Sequence, residues 1–154
     1  MLTDLKNNSS EVRLRIVENI QKLNDTGVID SLITALNDKN SSVRIMVALA
    51  LGKRNSTRPI GPLINALRDN NSDVRISAAM ALTKIGIPAV ISLIRALKSN
   101  NINIRVNAAR VLGRIGDRRA INQLTQALND NSTEVQLSAA YALRKIEWKS
   151  HGTS

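Results

Sequence analysis

The run Asn71-Ser72-Asp73-Val74-Arg75-Ile76-Ser77-Ala78-Ala79-Met80-Ala81-Leu82-Thr83-Lys84-Ile85-Gly86 decides the fold. Val74, Ala78, Ala79, Ala81, Leu82 and Ile85 recur at the i, i+4, i+7/8 spacing of an amphipathic helix, and the small residues among them let a neighbour approach closely. Asn71 is a strong N-cap, able to accept from an orphan backbone N–H. Gly86 supplies a backbone that tolerates the left-handed conformation at a helix end. The same frame returns along the chain at Val12-Arg13, Val43-Arg44, Val74-Arg75, Ile104-Arg105 and Val135-Gln136, at spacings of 31, 31, 30 and 31 residues. A period of this length is the signature of stacked supersecondary units.

Read by columns, the N-cap is Ser9, Asn40, Asn71, Asn101 or Ser132, and the C-terminal stop is Asn24, Asn55, Gly86 or Gly116. A second amphipathic helix follows within two to four residues, with Pro59 and Pro88 placed in its first turn, where intrahelical donors are not needed. Its buried stripe is predicted from the columns Ile29, Ile60, Val90, Ile121 and Leu32, Leu63, Leu93, Leu124. Ala35, Ala66, Ala96, Ala127 and Leu36, Leu67, Leu97, Leu128 complete it. Neither helix can bury its face alone, so stacking makes the core continuous. The expected organisation is one solenoid over residues 1–148, with repeats at about 7–38, 39–69, 70–99, 100–130 and 131–148. The last repeat has a first helix only, Leu2 and Leu5 belong to an opening second helix, Ile16-Val17 replaces the Ala pair in repeat 1, and residues 149–154 form a flexible tail.

Composition narrows the function classes. The 154 residues include no Cys, which removes disulfides, thiolate metal sites and thiol redox chemistry and agrees with a cytoplasmic setting. No apolar run approaches the roughly 18 residues that span a bilayer, so a soluble chain with no membrane partner is expected. A net charge of +10 invites polyanionic or acidic partners. That charge is concentrated: no Asp or Glu lies between Asp73 and Asp117, an interval holding Arg75, Lys84, Arg95, Lys98, Arg105, Arg110 and Arg114. The only His is His151, no Ser or Cys nucleophile has a His partner, the seven Gly are dispersed, and no carboxylate pair is evident. Catalytic residues, metal ligands and cofactors are therefore all expected to be none.

The segments Asn71-Ser72-Asp73-Val74-Arg75 with Ala78-Ala79-x-Ala81-Leu82, and Val111-Leu112-Gly113-Arg114-Ile115-Gly116-Asp117 with Ala127-Leu128, resemble HEAT-like repeats, in the short form named after phycobilisome lyases. The resemblance covers about residues 7 to 147. It implies an all-α fold, a right-handed α–α superhelix of about five stacked helix pairs, with first helices on the convex side and second helices lining the concave side. It also implies that the Arg column, Arg13, Arg44, Arg75 and Arg105, pairs with the Asp column, Asp38, Asp69 and Asp130, as a structural ladder in which Asn7 and Ser99 fill the other two places.

On this reading the partner-binding face is the exposed side of the second helices, where side chains need not repeat for the fold to hold. One column reads Thr34, Asn65, Arg95, Gln126 and the next Asn37, Arg68, Lys98, Asn129. A basic column without exception, Lys22, Lys53, Lys84, Arg114 and Lys145, sits in the last turn of the first helices, where a cation offsets the negative end of the helix dipole. Repeat 2 departs from the frame: Arg54 replaces the apolar Leu23, Ile85, Ile115 and Ile146, and Arg58 follows in the next loop, marking a possible special site. The function expected is a non-enzymatic scaffold, monomeric or weakly self-associating, that binds a protein partner with an acidic surface on its concave second-helix face. Two alternatives stand beside it: a bilin-lyase-like or phycobilisome-associated factor, allowed by the resemblance, and a basic, sequence-independent nucleic-acid binder. The last is weakened by the scarcity of stacking platforms, since Tyr141 and Trp148 are the only aromatic residues.

Overall fold

The computed structural model describes residues 9–20, 26–54 and 56–151. Leu2, Leu5, Asn7, Lys22, Leu23, Asn24 and Asn55 lie outside the described residues, as does the Ile16 side chain. Among the described residues the chain is all α-helical: α1 Ser10–Ile20, α2 Thr26–Ala35, α3 Ser41–Gly52, α4 Ile60–Ala66, α5 Ser72–Ile85, α6 Val90–Ala96, α7 Ile102–Ile115, α8 Ile121–Ala127 and α9 Thr133–His151. Odd-numbered helices carry the Val-Arg frame and even-numbered helices carry the Leu-Ala stripe. Each even helix packs on the odd helix that follows it, so the elements stack as an α–α superhelix of the HEAT-like solenoid type.

Three of the predicted N-caps and two of the C-terminal stops form as the frame predicts, while α3 ends at Gly52 with Lys53 as its C-cap, ahead of position 55. The side chains of Asn40, Asn71 and Asn101 accept from Ser42, from Asp73 and Val74, and from Ile104, respectively. Gly86 and Gly116 end α5 and α7 with φ of 72° and 81°. Two further details differ from expectation. Pro88 lies in a separate 3₁₀ turn, Ile87–Ala89, that precedes α6. Helix α9 continues through His151, since Glu147 stands where Gly86 and Gly116 end α5 and α7 and it has no tendency to break a helix.

Val43, Val74 and Val135 of the odd helices are fully buried, and so are Leu32, Leu63, Leu93 and Leu124 of the even ones. Each such aliphatic side chain contributes about 2 kcal/mol through burial. One column is less regular than its sequence suggests. Leu36, Leu67 and Leu97 are buried, whereas Leu128 is 38 % exposed, because among the described residues no further even helix stands beside it.

The two layers are not equally spaced, and this corrects the expected sidedness. Odd helices pack directly on one another: a Cβ on Gly52 of α3 would lie 2.6 Å from the Ala81 Cα of α5, and one on Gly113 of α7 would lie 2.7 Å from the Ala142 Cα of α9. Even helices barely touch each other. In a curved stack the closer-set layer is the inner one, so the odd helices face the concave side and the even helices the outside. The resemblance assigned these sides the other way round.

Adjacent repeats are also joined by the arginine ladder. Arg44 holds Asp69 by two parallel bonds, Nε to Oδ2 at 2.8 Å and Nη2 to Oδ1 at 2.9 Å, while its Nη1 donates to the carbonyl of Asp38 at 2.7 Å. Arg105 repeats the arrangement with Asp130 and the Ser99 carbonyl, and Arg13 reaches Asp38. Planar pairing of this kind fixes orientation as well as supplying energy. Arg75 is different. It keeps the backbone bond, to the Asp69 carbonyl at 2.7 Å, but Ser99 occupies the place of the facing carboxylate, and among the described residues no acid forms a side-chain ion pair with it. The junction between repeats 3 and 4 also lacks the close glycine contact, since Thr83 occupies the position of Gly52 and Gly113. Ser99→Asp should restore the missing rung and stabilise the protein by about 1 kcal/mol, a gain of about 3 °C in Tm for a chain of this size. In an Arg75→Ala background the same substitution should give no gain, and a gain retained there would place its origin elsewhere.

Candidate functional site

The seven residues singled out on the even helices fall together on the outer layer. Thr34, Asn65, Arg68, Arg95, Lys98, Gln126 and Asn129 are all exposed, near the C-terminal ends of α2, α4, α6 and α8. Their surroundings are polar. An open groove of 390 Å³ beside Asn65 and Arg68 runs between Asn37 and the Arg44–Asp69 rung. Thr34 donates to the carbonyl of Asp30, a local bond within its own helix. None of these residues has an exposed apolar neighbour in the same column.

Repeat 2 separates its two irregular arginines. The Arg58 Nη2 donates to the Asp30 carboxylate of α2 at 2.6 Å, an exposed cross-repeat tie. Arg54 is half-buried and lines an open cleft of 550 Å³ with Lys53, Ser56, Thr57, Lys84 and Pro88. Arg58 is not among the residues that line this cleft.

A more ordered surface lies on the inner layer, on the side of the odd helices that faces away from the even ones. Three residues per helix, at i, i+4 and i+8, build three rows across the array. The first row is Leu14, Ile45, Ile76, Val106 and Leu137; the second is Glu18, Leu49, Met80, Arg110 and Tyr141; the third is Lys53, Lys84, Arg114 and Lys145. In the first two rows Ile76, Met80, Leu137 and Tyr141 are 56 %, 52 %, 67 % and 44 % exposed, Leu14, Ile45 and Leu49 are partly buried and Val106 belongs to the core, while every member of the third row is exposed. Between α7 and α9 the surface opens into a groove of 460 Å³ lined by Arg110, Arg114, Glu134, Leu137, Ser138 and Tyr141. Arg144 and Lys145 approach the Tyr141 ring to 5.9 and 5.6 Å, within cation–π range. Sequence reasoning found the third row and missed the first two, although Ile76 and Met80 fall outside the buried stripe of Val74, Ala78, Ala79, Ala81, Leu82 and Ile85 and that omission was the available signal.

The carboxylates that are perturbed serve the scaffold. The Arg105 hydrogen bond, aided by the backbone N–H of Ser132 and opposed by burial, holds Asp130 below its ordinary value. At Asp69 burial works against ionisation, and the hydrogen bonds from Arg44 and the Asn71 backbone, with the charges of Arg44 and Arg75, outweigh it. Among the described residues no group of three or more His, Cys, Asp and Glu side chains is placed to hold a metal ion, and no single helix is long and apolar enough to cross a membrane.

Stacked helix pairs with an Asp-Arg ladder define an α-helical repeat protein. The family model described as HEAT repeats matches residues 1–83 and 60–144, and the chain belongs to that family. No curated protein matches it in sequence. Among solved structures it is similar to the complex of CpcE and CpcF of phycocyanin lyase from Nostoc sp. PCC7120, at 24 % identity and a TM-score of 0.63, covering 96 % of this chain and 64 % of that one, so it spans less than two thirds of that protein. It is similar to a Crescerin structure, whose TOG domain array regulates microtubules in the primary cilium, at 16 % identity and a TM-score of 0.76, over 99 % and 77 % of the two chains. A designed armadillo repeat protein in complex with the peptide (KR)4 aligns at 19 % identity and a TM-score of 0.54, over 94 % and 80 %. At these identities the likeness is one of fold.

Proposed function

We propose that the chain is a non-enzymatic scaffold that captures a protein partner with an acidic surface, and that the inner layer of odd helices is the main contact. The observation that carries this reading is the pairing, on one face, of exposed apolar side chains with an unbroken row of cations. Protein interfaces are anchored by apolar and aromatic groups and framed by charge, and an exposed apolar patch of this kind marks a binding surface. The outer residues Arg68, Arg95 and Lys98 have beside them one exposed apolar side chain, Ile91 one turn before Arg95, against four on the inner rows, and in this reading they lie outside the main contact. Phosphate binding would use charge alone and would leave Ile76, Met80 and Leu137 without a role.

Affinity capture from lysate of the native host tests it with two charge-reversed variants. Lys84→Glu, Arg114→Glu and Lys145→Glu together should abolish recovery of a protein partner, while Arg68→Glu, Arg95→Glu and Lys98→Glu should leave it nearly intact. The opposite pattern moves the contact to the outer layer. Recovery that is nuclease-sensitive and collapses between about 50 and about 200 mM salt would replace a protein partner by nucleic acid.

A further inference from the structure

The spacing of the three inner rows specifies the partner's secondary structure. Along each odd helix the first and third rows are eight residues apart, about 12 Å at a rise of 1.5 Å per residue. Across the array, neighbouring odd helices stand about 8 to 10 Å apart, the ordinary separation of packed helices. A segment lying across α5, α7 and α9 therefore meets exposed apolar side chains on the two flanking helices of the three, Ile76 and Met80 on α5 and Leu137 and Tyr141 on α9, with Arg110 and its ion-pair partner Glu134 between them. About 12 Å to the side it meets one cation for every 8 to 10 Å of its length.

An extended segment does not match this pattern. Its side chains alternate between opposite faces, so it cannot present apolar groups to one row and acids to another about 12 Å to the side. An α-helix does match it, because its diameter with side chains is about 10 to 12 Å and its apolar stripe and charged flank lie on one side. Seven residues of helix rise about 10.5 Å, close to the interval between odd helices. We propose, on the basis of the protein-binding reading above, that the inner face takes an acidic amphipathic α-helix lying across α5, α7 and α9, with its apolar stripe on Ile76, Met80, Leu137 and Tyr141 and with Asp or Glu at i, i+7 and i+14 against Lys84, Arg114 and Lys145. Charge complementarity selects this occupant: the third row holds four exposed cations and no acid, and the chain carries a net charge of +10.

The probe is a fluorescein-labelled peptide of about three helical heptads, with Leu on the apolar stripe and Glu at i, i+7 and i+14, titrated with the full chain by anisotropy. Binding should weaken at least tenfold for the Met80→Ser, Leu137→Ser double variant, whose side chains are exposed and whose folding is checked by circular dichroism. It should weaken at least tenfold again for a peptide of the same composition with its order scrambled. Equal binding of the scrambled peptide would mean that the face reads charge alone and overturns the helical assignment. So would failure of the designed peptide to bind while the inner-face charge reversals still abolish capture of a protein from lysate; in that case the scaffold reading survives and the helical partner does not. If those reversals leave capture intact and the peptide also fails, both fall.

Discussion

Arg105→Ala should lower Tm by about 9 °C, corresponding to about 3 kcal/mol. Arg105 is 8 % exposed and donates to both oxygens of Asp130, to the Asn131 side chain and to the carbonyl of Ser99. Its removal leaves a nearly buried carboxylate without its counter-charge, which is the costly way to break such a pair. Acid cuts the same rung. Asp130 has a depressed folded-state pKa, so its contribution is full above the unfolded value near 3.8 and is lost as pH falls through the lower folded value. Thermal melts at neutral pH and below pH 4 should therefore separate wild type from Arg105→Ala widely at neutral pH and bring them together in acid. Parallel melting curves at both pH values would show that the ion pair does not contribute.

Gly113→Leu should cost about as much, roughly 3 kcal/mol, by a different route. Any Cβ at this position lies 2.7 Å from the backbone of Ala142 and 2.9 Å from its Cβ, so α7 and α9 must separate to admit it. Gly113→Ala should cost less, because relief of the glycine's helix penalty, about 1 kcal/mol, offsets part of the overlap. Ala142→Gly should recover only part of the loss in the Gly113→Ala background, because it removes the 2.9 Å contact with the Ala142 Cβ and leaves the 2.7 Å contact with its Cα, and it should destabilise the wild type. A rescue absent from denaturant melts would show that the glycine answers to something other than this contact. The Gly61 position is the control, since nothing lies within 4 Å of a Cβ placed there.

Much of the fold was legible in the chain. The Val-Arg period, the Asn and Ser caps and the buried columns are local or repeated features, and each is tied to a specific φ/ψ or burial demand that repetition makes visible. The side on which the array curves was not legible. It depends on how near Gly52 comes to Ala81 and Gly113 to Ala142, contacts between residues about 29 apart that an amphipathic pattern does not rank against the spacing of the even helices. The candidate site inherited that gap. Lys84 and Lys145 were visible as a column, but Met80 and Leu137 on the same two helices, α5 and α9, have the hydrophobicity of core residues, and only the packing of the odd layer leaves them uncovered.

The junction between repeats 3 and 4 has neither rung nor glycine, and its place in the array gives it a metrical consequence. Lys53 and Lys84 belong to the block locked by Gly52 and by Arg44 with Asp69; Arg114 and Lys145 belong to the block locked by Gly113 and by Arg105 with Asp130. Within each block the distance between successive cations is set by backbone contact and behaves as a rigid ruler. The interval from Lys84 to Arg114 crosses the junction between the two blocks, which has neither device, and the long-range tie there is a side-chain hydrogen bond from the Asn107 amide of α7 to the Leu67 carbonyl at 3.3 Å.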